Sequence, residues 1–340
     1  MSKIYICVSH RIDINSELID NPLYFPVRCG AVFDDKNPMH IAGDDTGDHI
    51  SQKRMSFCEF TVQYWAWKNV KADYYGLCHY RRYLSFSPHR FKTDEYNMIY
   101  APELTPKSKK KYGLLDTYTM ERLISEYDIV VSESANVIKI PTPRGKMNTV
   151  MELWNAQDGV FFEKYIVGLM MDLIDQTAPL YSRSAREYFA GNRHRGFNCY
   201  VMRKELFERL CEFQFPVMFE VERQLNTTGY SQTMLRTPAF VGEMLYGIFL
   251  YHVTTYEQWK LKELQMVFFQ NTEHIRGLAD LLRRYIWGEI DCGLRAAIAP
   301  ILPKGSFRRE IVKHYFYVLT PAKRRGVASI RQGEKRCEGK

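Results

Sequence analysis

Apolar and polar positions along this chain follow two different periods. "KIYICVS" (3–9) is a continuous apolar run of strand length that stops at the polar group Ser9-His10-Arg11. "ADYYGLCHYRRYL" (72–84) has the same form and runs into His79, Tyr80, Arg81, Arg82 and Tyr83. "YDIVVS" (127–132) leads to Ser132-Glu133-Ser134, and "GFNCYVM" (196–202) is a fourth strand. Helical spacing lies between them. In 52–70, Met55, Cys58, Val62, Trp65 and Ala66 recur on one face with no Pro or Gly, which predicts a helix. Further helices are predicted at about 158–176 and 180–190, as a pair within 203–225 separated near Pro216, and over 237–253, entered by Pro238. The Pro-, Lys- and Ser-rich stretch 85–115 reads as a surface excursion able to close over a site.

Strands alternating with helices over some 250 residues predict an α/β sheet with its ligand chemistry at the carboxyl ends of strands. From about 256 only amphipathic helical patterns follow, such as "HIRGLADLLRRYIWGEI" (274–290). The expected organisation is therefore a catalytic domain over 1–255 and a helical, basic extension over 256–340.

At 340 residues the chain can bury a large core, and 46% apolar with 25% charged residues is ordinary globular composition. The net charge of +8 suggests a polyanionic partner until it is located. Residues 301–340 hold 11 Lys and Arg against 3 Asp and Glu, and the remainder balances at 36 of each sign. The excess belongs to the tail, which speaks against nucleic acid as the body's partner and suits an anionic membrane surface. Leu281, Leu282, Tyr285, Ile286 and Trp287 beside Arg283 and Arg284 fit that surface, and equally a helical subdomain packed on the core. The eight cysteines are dispersed without zinc spacing, which predicts buried free thiols in a reducing compartment. No window reaches the ~18 apolar residues of a membrane span. The expected location is cytoplasmic, peripheral on the inner membrane face if the tail docks there.

Four constellations carry candidate chemistry. His79-Tyr80-Arg81-Arg82 places guanidinium groups, suited to a planar grip on phosphate, at a strand end, although strand alternation would let only one arginine face a given ligand unless the strand has ended. Gly43-Asp44-Asp45-Thr46-Gly47-Asp48 resembles a phosphate cradle, but its carboxylates would repel bare phosphate; a divalent metal, sugar hydroxyls, or helix capping by Asp48 or Ser51 remain. Glu243, at the start of an apolar helix, either complements the helix dipole or acts as a general base. "NRHRGFNCY" (192–200) offers Arg193, His194, Arg195 and Asn198 as an anion-binding or merely solvated loop.

Taken together, "CGAVFDD", "GDDTGDHIS", "YWAWKN", "DYYGLCHYRRYL", "GFNCYVMRKELFERLCEFQFPVMFEVE" and "RTPAFVGEMLYGIFLY" resemble, in order from about residue 3 to 253, a bacterial family labelled as a domain of unknown function (4422). That family occurs in capsular and exopolysaccharide gene clusters and is counted among glycosyltransferases, some of them galactofuranosyltransferases. The resemblance implies a GT-A-like, Rossmann-type nucleotide-sugar-binding domain, a nucleotide-diphosphate donor such as a UDP-sugar, and a lipid-linked saccharide acceptor. It implies Glu243 as the base of an inverting transfer, His79, Arg81 and Arg82 at the diphosphate, and Ser9, His10, Asp44, Asp45, Asp48, His194 and Asn198 around donor and acceptor. The strand most like the one that ends in the metal-binding Asp-x-Asp of many GT-A enzymes ends here in His and Arg. Either the guanidinium groups neutralise the leaving diphosphate directly, or manganese or magnesium is held by His79 with Asp44, Asp45 or Asp48.

Two rivals remain from the residues. A polysaccharide-cluster scaffold docking through its tail would not need polar clusters at three strand ends. A strand-exchange enzyme is suggested by His79-x-x-Arg82, but the α/β alternation does not suit a helical catalytic domain.

Overall fold

The computed structural model describes residues 2–140, 142, 144–273, 277, 300–302 and 308. Its strands are β1 (Ile4–Arg11), β2 (Tyr24–Cys29), β3 (Ala42–Gly43), β4 (Tyr74–His79), β5 (Arg82–Leu84), β6 (Met98–Glu103), β7 (Ile129–Ser132), β8 (Ala135–Asn136), β9 (Arg193–His194), β10 (Tyr200–Arg203), β11 (Leu261–Leu264) and β12 (Met266–Asn271). The helices are α1 (Arg54–Phe57), α2 (Phe60–Asn69), α3 (Pro106–Lys111), α4 (Thr117–Glu126), α5 (Val150–Asn155), α6 (Tyr165–Thr177), α7 (Ser182–Ala190), α8 (Lys204–Gln224) and α9 (Thr237–Thr255).

One sheet runs in the order β11-β7-β10-β4-β1-β2-β3. β1 pairs parallel with β2 and β4, and β11 parallel with β7, while β10 is antiparallel to both β4 and β7. The alternating faces of the central strands feed two cores. Cys7, Tyr75, Leu77, Tyr200 and Met202 face the layer formed by α2 and α5 to α9. Ile4, Ile6, Val8, Cys78, Cys199 and Val201 face the layer of β6, β12 and α4. Burial on both faces explains why these strands read as unbroken apolar runs. α9 is apolar almost all round because it lies inside its layer. Gly242 on α9 permits that depth: a Cβ there would come within 2.4 Å of the Phe60 ring on α2.

Several expectations need correction. α8 is one continuous helix through Pro216 rather than two. Pro216 sits on its exposed face, where water can serve the carbonyl that the missing N–H leaves unbonded. The excursion 85–115 contains β6 and α3. The helical expectation beyond 256 fails over 261–271, where β11 and β12 join the sheet, β12 bridging β5 and β6. The helix predicted at 158–176 starts only at Tyr165. The amphipathic segment 274–290 and nearly all of the basic tail lie outside the described residues. Cys7, Cys29, Cys58, Cys78, Cys199 and Cys211 are free thiols, as expected.

Candidate active site

The parallel strands β1 and β4 end side by side, with Ser9 opposite His79 in the register and the Ser9 carbonyl accepting the Tyr80 N–H at 3.0 Å. β4 stops at His79, a two-residue turn follows, and β5 returns with Arg82 paired to His79. The strand has therefore ended before the arginines, and strict alternation no longer separates them. Both guanidinium groups lie against the Phe268 ring of β12, at 5.2 Å for Arg81 and 5.4 Å for Arg82, and Arg82 also covers Phe197 at 4.6 Å. The Nε atoms of both arginines, His10 Nδ1 and Asn198 Oδ1 are buried without a hydrogen-bond partner. Unpartnered buried donors and acceptors cost stability, so their gathering at one strand end marks a place built for a ligand.

The imidazoles here are neutral. Burial pushes His10 down to about 3, and burial with the adjacent Arg82 and Arg81 charges holds His79 well below its ordinary value. His79 Nδ1 accepts the Arg81 backbone N–H at 3.3 Å, which assigns the ring proton to Nε2, a donor rather than a charge.

Glu243 enters from α9. Burial and the neighbouring Glu59 carboxylate push it up to about 7, against the opposing pull of Arg82, Arg236 and the Phe197 N–H. Two segments of strained backbone frame it. Phe197 and Asn198 have φ of 73° and 37°, and Cys58, just before Glu59, has φ of 50°. Left-handed backbone at such residues persists only where its surroundings over-determine it, and it concentrates at functional sites. Here the two strained loops meet, with Asn198 Nδ2 donating to Glu59 Oε1 at 3.3 Å. Glu59 and Arg236, whose Nε lies 3.0 Å from Cys58 Sγ, were not among the sequence candidates. In the sequence Glu59 looks like one more polar position of a helix, and Arg236 like a loop cation. Only the fold brings them to Glu243.

The other candidates separate into ligand-facing and structural groups. Asp44 is fully buried and holds the loop after β2: it accepts from Gly30 N (2.9 Å) and Ala31 N (2.9 Å), from Thr61 Oγ1 (2.5 Å) and from Ser51 Oγ. Its oxygens are consumed, so it fits neither metal nor sugar. Asp45 is half-buried beside Gly43, and Asp48 is exposed, accepting from Tyr64 Oη at 3.2 Å. Neither Asp48 nor Ser51 caps the helical turn at 51–53, contrary to that expectation. Among the described residues no three His, Cys, Asp or Glu side chains converge as a metal site, and the set of His79, Asp44 and Asp45 does not fit one. His194 is buried behind Gly196, 3.2 Å from Tyr188 Oη, and burial with Arg195 pushes it down to about 4. Arg195 is spent on the Ser132 carbonyl (2.7 Å) and on Glu263, and is no anion ligand, while Arg193 points to solvent.

The cluster thus offers a near-neutral carboxyl, a second carboxylate, unpartnered guanidinium edges and neutral imidazoles along one edge of an α/β sheet. The solved structure described as WbbM bifunctional glycosyltransferase, in its apo form, matches with a TM-score of 0.72 and 26% identity over 81% of this chain. The chain spans 47%, about half, of that structure's length. The sheet order and this match make the fold GT-A-like. No curated protein matches. The family described as Domain of unknown function (DUF4422) matches residues 3–254, and the chain belongs to that family.

Proposed function

We propose that the protein is a glycosyltransferase that moves a sugar from a nucleotide-diphosphate donor to a saccharide acceptor in surface-polysaccharide synthesis. The observation that carries this reading is a single one: a carboxyl pushed up to about 7, Glu243, in the field of Arg82, whose buried Nε, like that of the neighbouring Arg81, lacks a partner. The resemblance of half of a bifunctional glycosyltransferase to this chain supports the reaction class.

In the reaction, the acceptor hydroxyl loses its proton to Glu243 as its oxygen bonds the anomeric carbon from the face opposite the leaving group. The bond from that carbon to the diphosphate oxygen breaks, and the nucleoside diphosphate departs with the electron pair. A base with a pKa near 7 is suited to accept that proton at neutral pH. Arg81 and Arg82 neutralise the departing charge, with His79 Nε2–H as a further donor. Single displacement inverts the anomeric centre. His10 and Ser9 stand at the end of β1, beside His79, where they would border the donor. The finer assignments rest on the family resemblance: a UDP-linked galactose or galactofuranose donor and a lipid-linked acceptor at the inner membrane face. No step is routed through a metal, since Asp44 is spent on the loop after β2 and, among the described residues, no three His, Cys, Asp or Glu side chains converge on one.

Glu243→Gln keeps the shape and removes the base. Transfer should fall at least about 100-fold while donor binding, read as a thermal shift, persists. Transfer near the wild-type rate would remove Glu243 from the mechanism. A thermal-shift panel of UDP-, GDP-, dTDP- and CMP-sugars, with and without manganese, assigns the donor and its metal need.

A further inference from the structure

A concavity of about 1280 Å³ lies on the same carboxyl edge of the sheet, beyond β7 and β11. Its walls are the segment 85–91, α3, α4 and the end of β11. Three acids line it, and each has a partner. Asp116 caps α4 through Thr119 N at 3.0 Å, Glu133 holds Arg90 in a two-bond pair at 2.7 and 3.0 Å, and Glu263 pairs with Arg195. Besides Arg90, four cations line it: Lys110, Lys111, Arg122 and Lys262. Among the described residues Lys110, Lys111 and Lys262 are in no ion pair, while the Arg122 charge joins the Thr119 hydrogen bonds in holding the Asp116 carboxyl below its ordinary value. Lys111 and Lys262 are steadied over rings instead, Lys111 at 5.2 Å from Phe91 and Lys262 at 5.7 Å from Tyr127. The cleft is therefore a preformed positive surface with apolar patches at Phe91 and Leu115.

Glu133 connects this cleft to the active site, because it also lines a water-sized cavity with His194, Gly196 and Phe197. A Cβ on Gly196 would lie 3.7 Å from Glu243 Oε2. With Arg90 set against Glu133, Arg195 against Glu263 and Arg122 against Asp116, three cations remain in surplus, Lys110, Lys111 and Lys262, whereas the body of the chain is electrically balanced.

We infer that this cleft binds the acceptor and selects an anionic saccharide, one bearing carboxylate or phosphate groups along its length. The inference rests on the transferase reading for the term acceptor, but the binding itself does not. Ammonium and guanidinium groups take either anion, and Phe91 and Leu115 can meet the C–H faces of sugar rings.

The test is calorimetric titration of the full chain with three probes: tetragalacturonate for carboxylate, a glycerol-phosphate oligomer for phosphate, and neutral maltotetraose. At least one anionic probe should bind, weakening as salt rises, and maltotetraose should not. The Lys111→Gln/Arg122→Gln pair should weaken that binding at least tenfold while leaving the thermal shift by the donor sugar unchanged. The preferred anion identifies the source of charge. Binding of neither anion, equal binding of maltotetraose, or indifference to the double variant overturns the inference. Glu243→Gln should bind the anion like wild type. If that variant also transfers sugar normally, the transferase mechanism fails while the anion cleft stands.

Discussion

Glu243 connects chemistry to stability at the scale of one residue. An ordinary carboxyl titrates near 4.5, and this one near 7, so the folded state holds a proton that the unfolded chain has released between those values. Stability contributed by this group is therefore lost as pH rises through 4.5 to 7. Glu243→Gln removes the cost and should stabilise the protein at pH 8 by on the order of 2 kcal/mol, an advantage that vanishes below about pH 4.5. Thermal melts of the two proteins across that range check it, and a variant less stable at pH 8 contradicts the buried-charge account. As the proposed base, the same group should set the acid limb of activity: kcat/KM should rise with pH and level off above about 7, because a base acts only unprotonated. At this scale the sequence was half legible. Arg82 and Glu243 stand out because charge interrupts an apolar run. Glu59 does not, since a carboxylate in a helical stretch is ordinary until Asn198 is folded against it.

Elements show why the acidic loop misled. "GDDTGD" carries the residue types of a cation site, yet Asp44 faces inward and ties Gly30, Ala31, Ser51 and Thr61 together. Side-chain direction is set by the pairing of β3 with β2, a tertiary fact absent from local spacing. Asp44→Ala would leave several donors buried and unpaired, and should cost on the order of 3 kcal/mol. A denaturant titration measures this; a change below 1 kcal/mol would show that the loop does not depend on Asp44. In the sequence β11 and β12 pass for helix, because Leu261-Lys262-Glu263-Leu264 is too short to declare a period. Yet β12 supplies Phe268, the ring under both site arginines. A chain ending at 255 keeps the whole family match but loses this strand, and should show no donor-induced thermal shift where the full chain does.

Across the described residues, four imidazoles share one behaviour. His10, His79, His194 and His252 are all held below their ordinary 6.5, chiefly by burial, so the unfolded chain binds protons that the folded one refuses. Stability present above pH 6.5 should fall on acidification, by up to about 2 kcal/mol per imidazole between pH 6.5 and 5. Melting the Glu243→Gln variant, which lacks the opposing carboxyl, isolates this slope, and a flat profile would contradict it. The strand ends of β1, β4 and β7 were legible as a group because buried strands announce themselves as apolar runs, and the chemistry of an α/β sheet gathers where such runs stop. The order in which those strands assemble was not legible, because β10 is inverted among them. That inversion separates two kinds of position on one short strand. Residues ahead of it, such as Asn198, stand on the candidate-site edge, while Arg203 and Lys204 behind it open on the opposite rim of the sheet. A dye or tether attached at that far rim would report on the protein from a distance and leave the candidate-site edge uncovered.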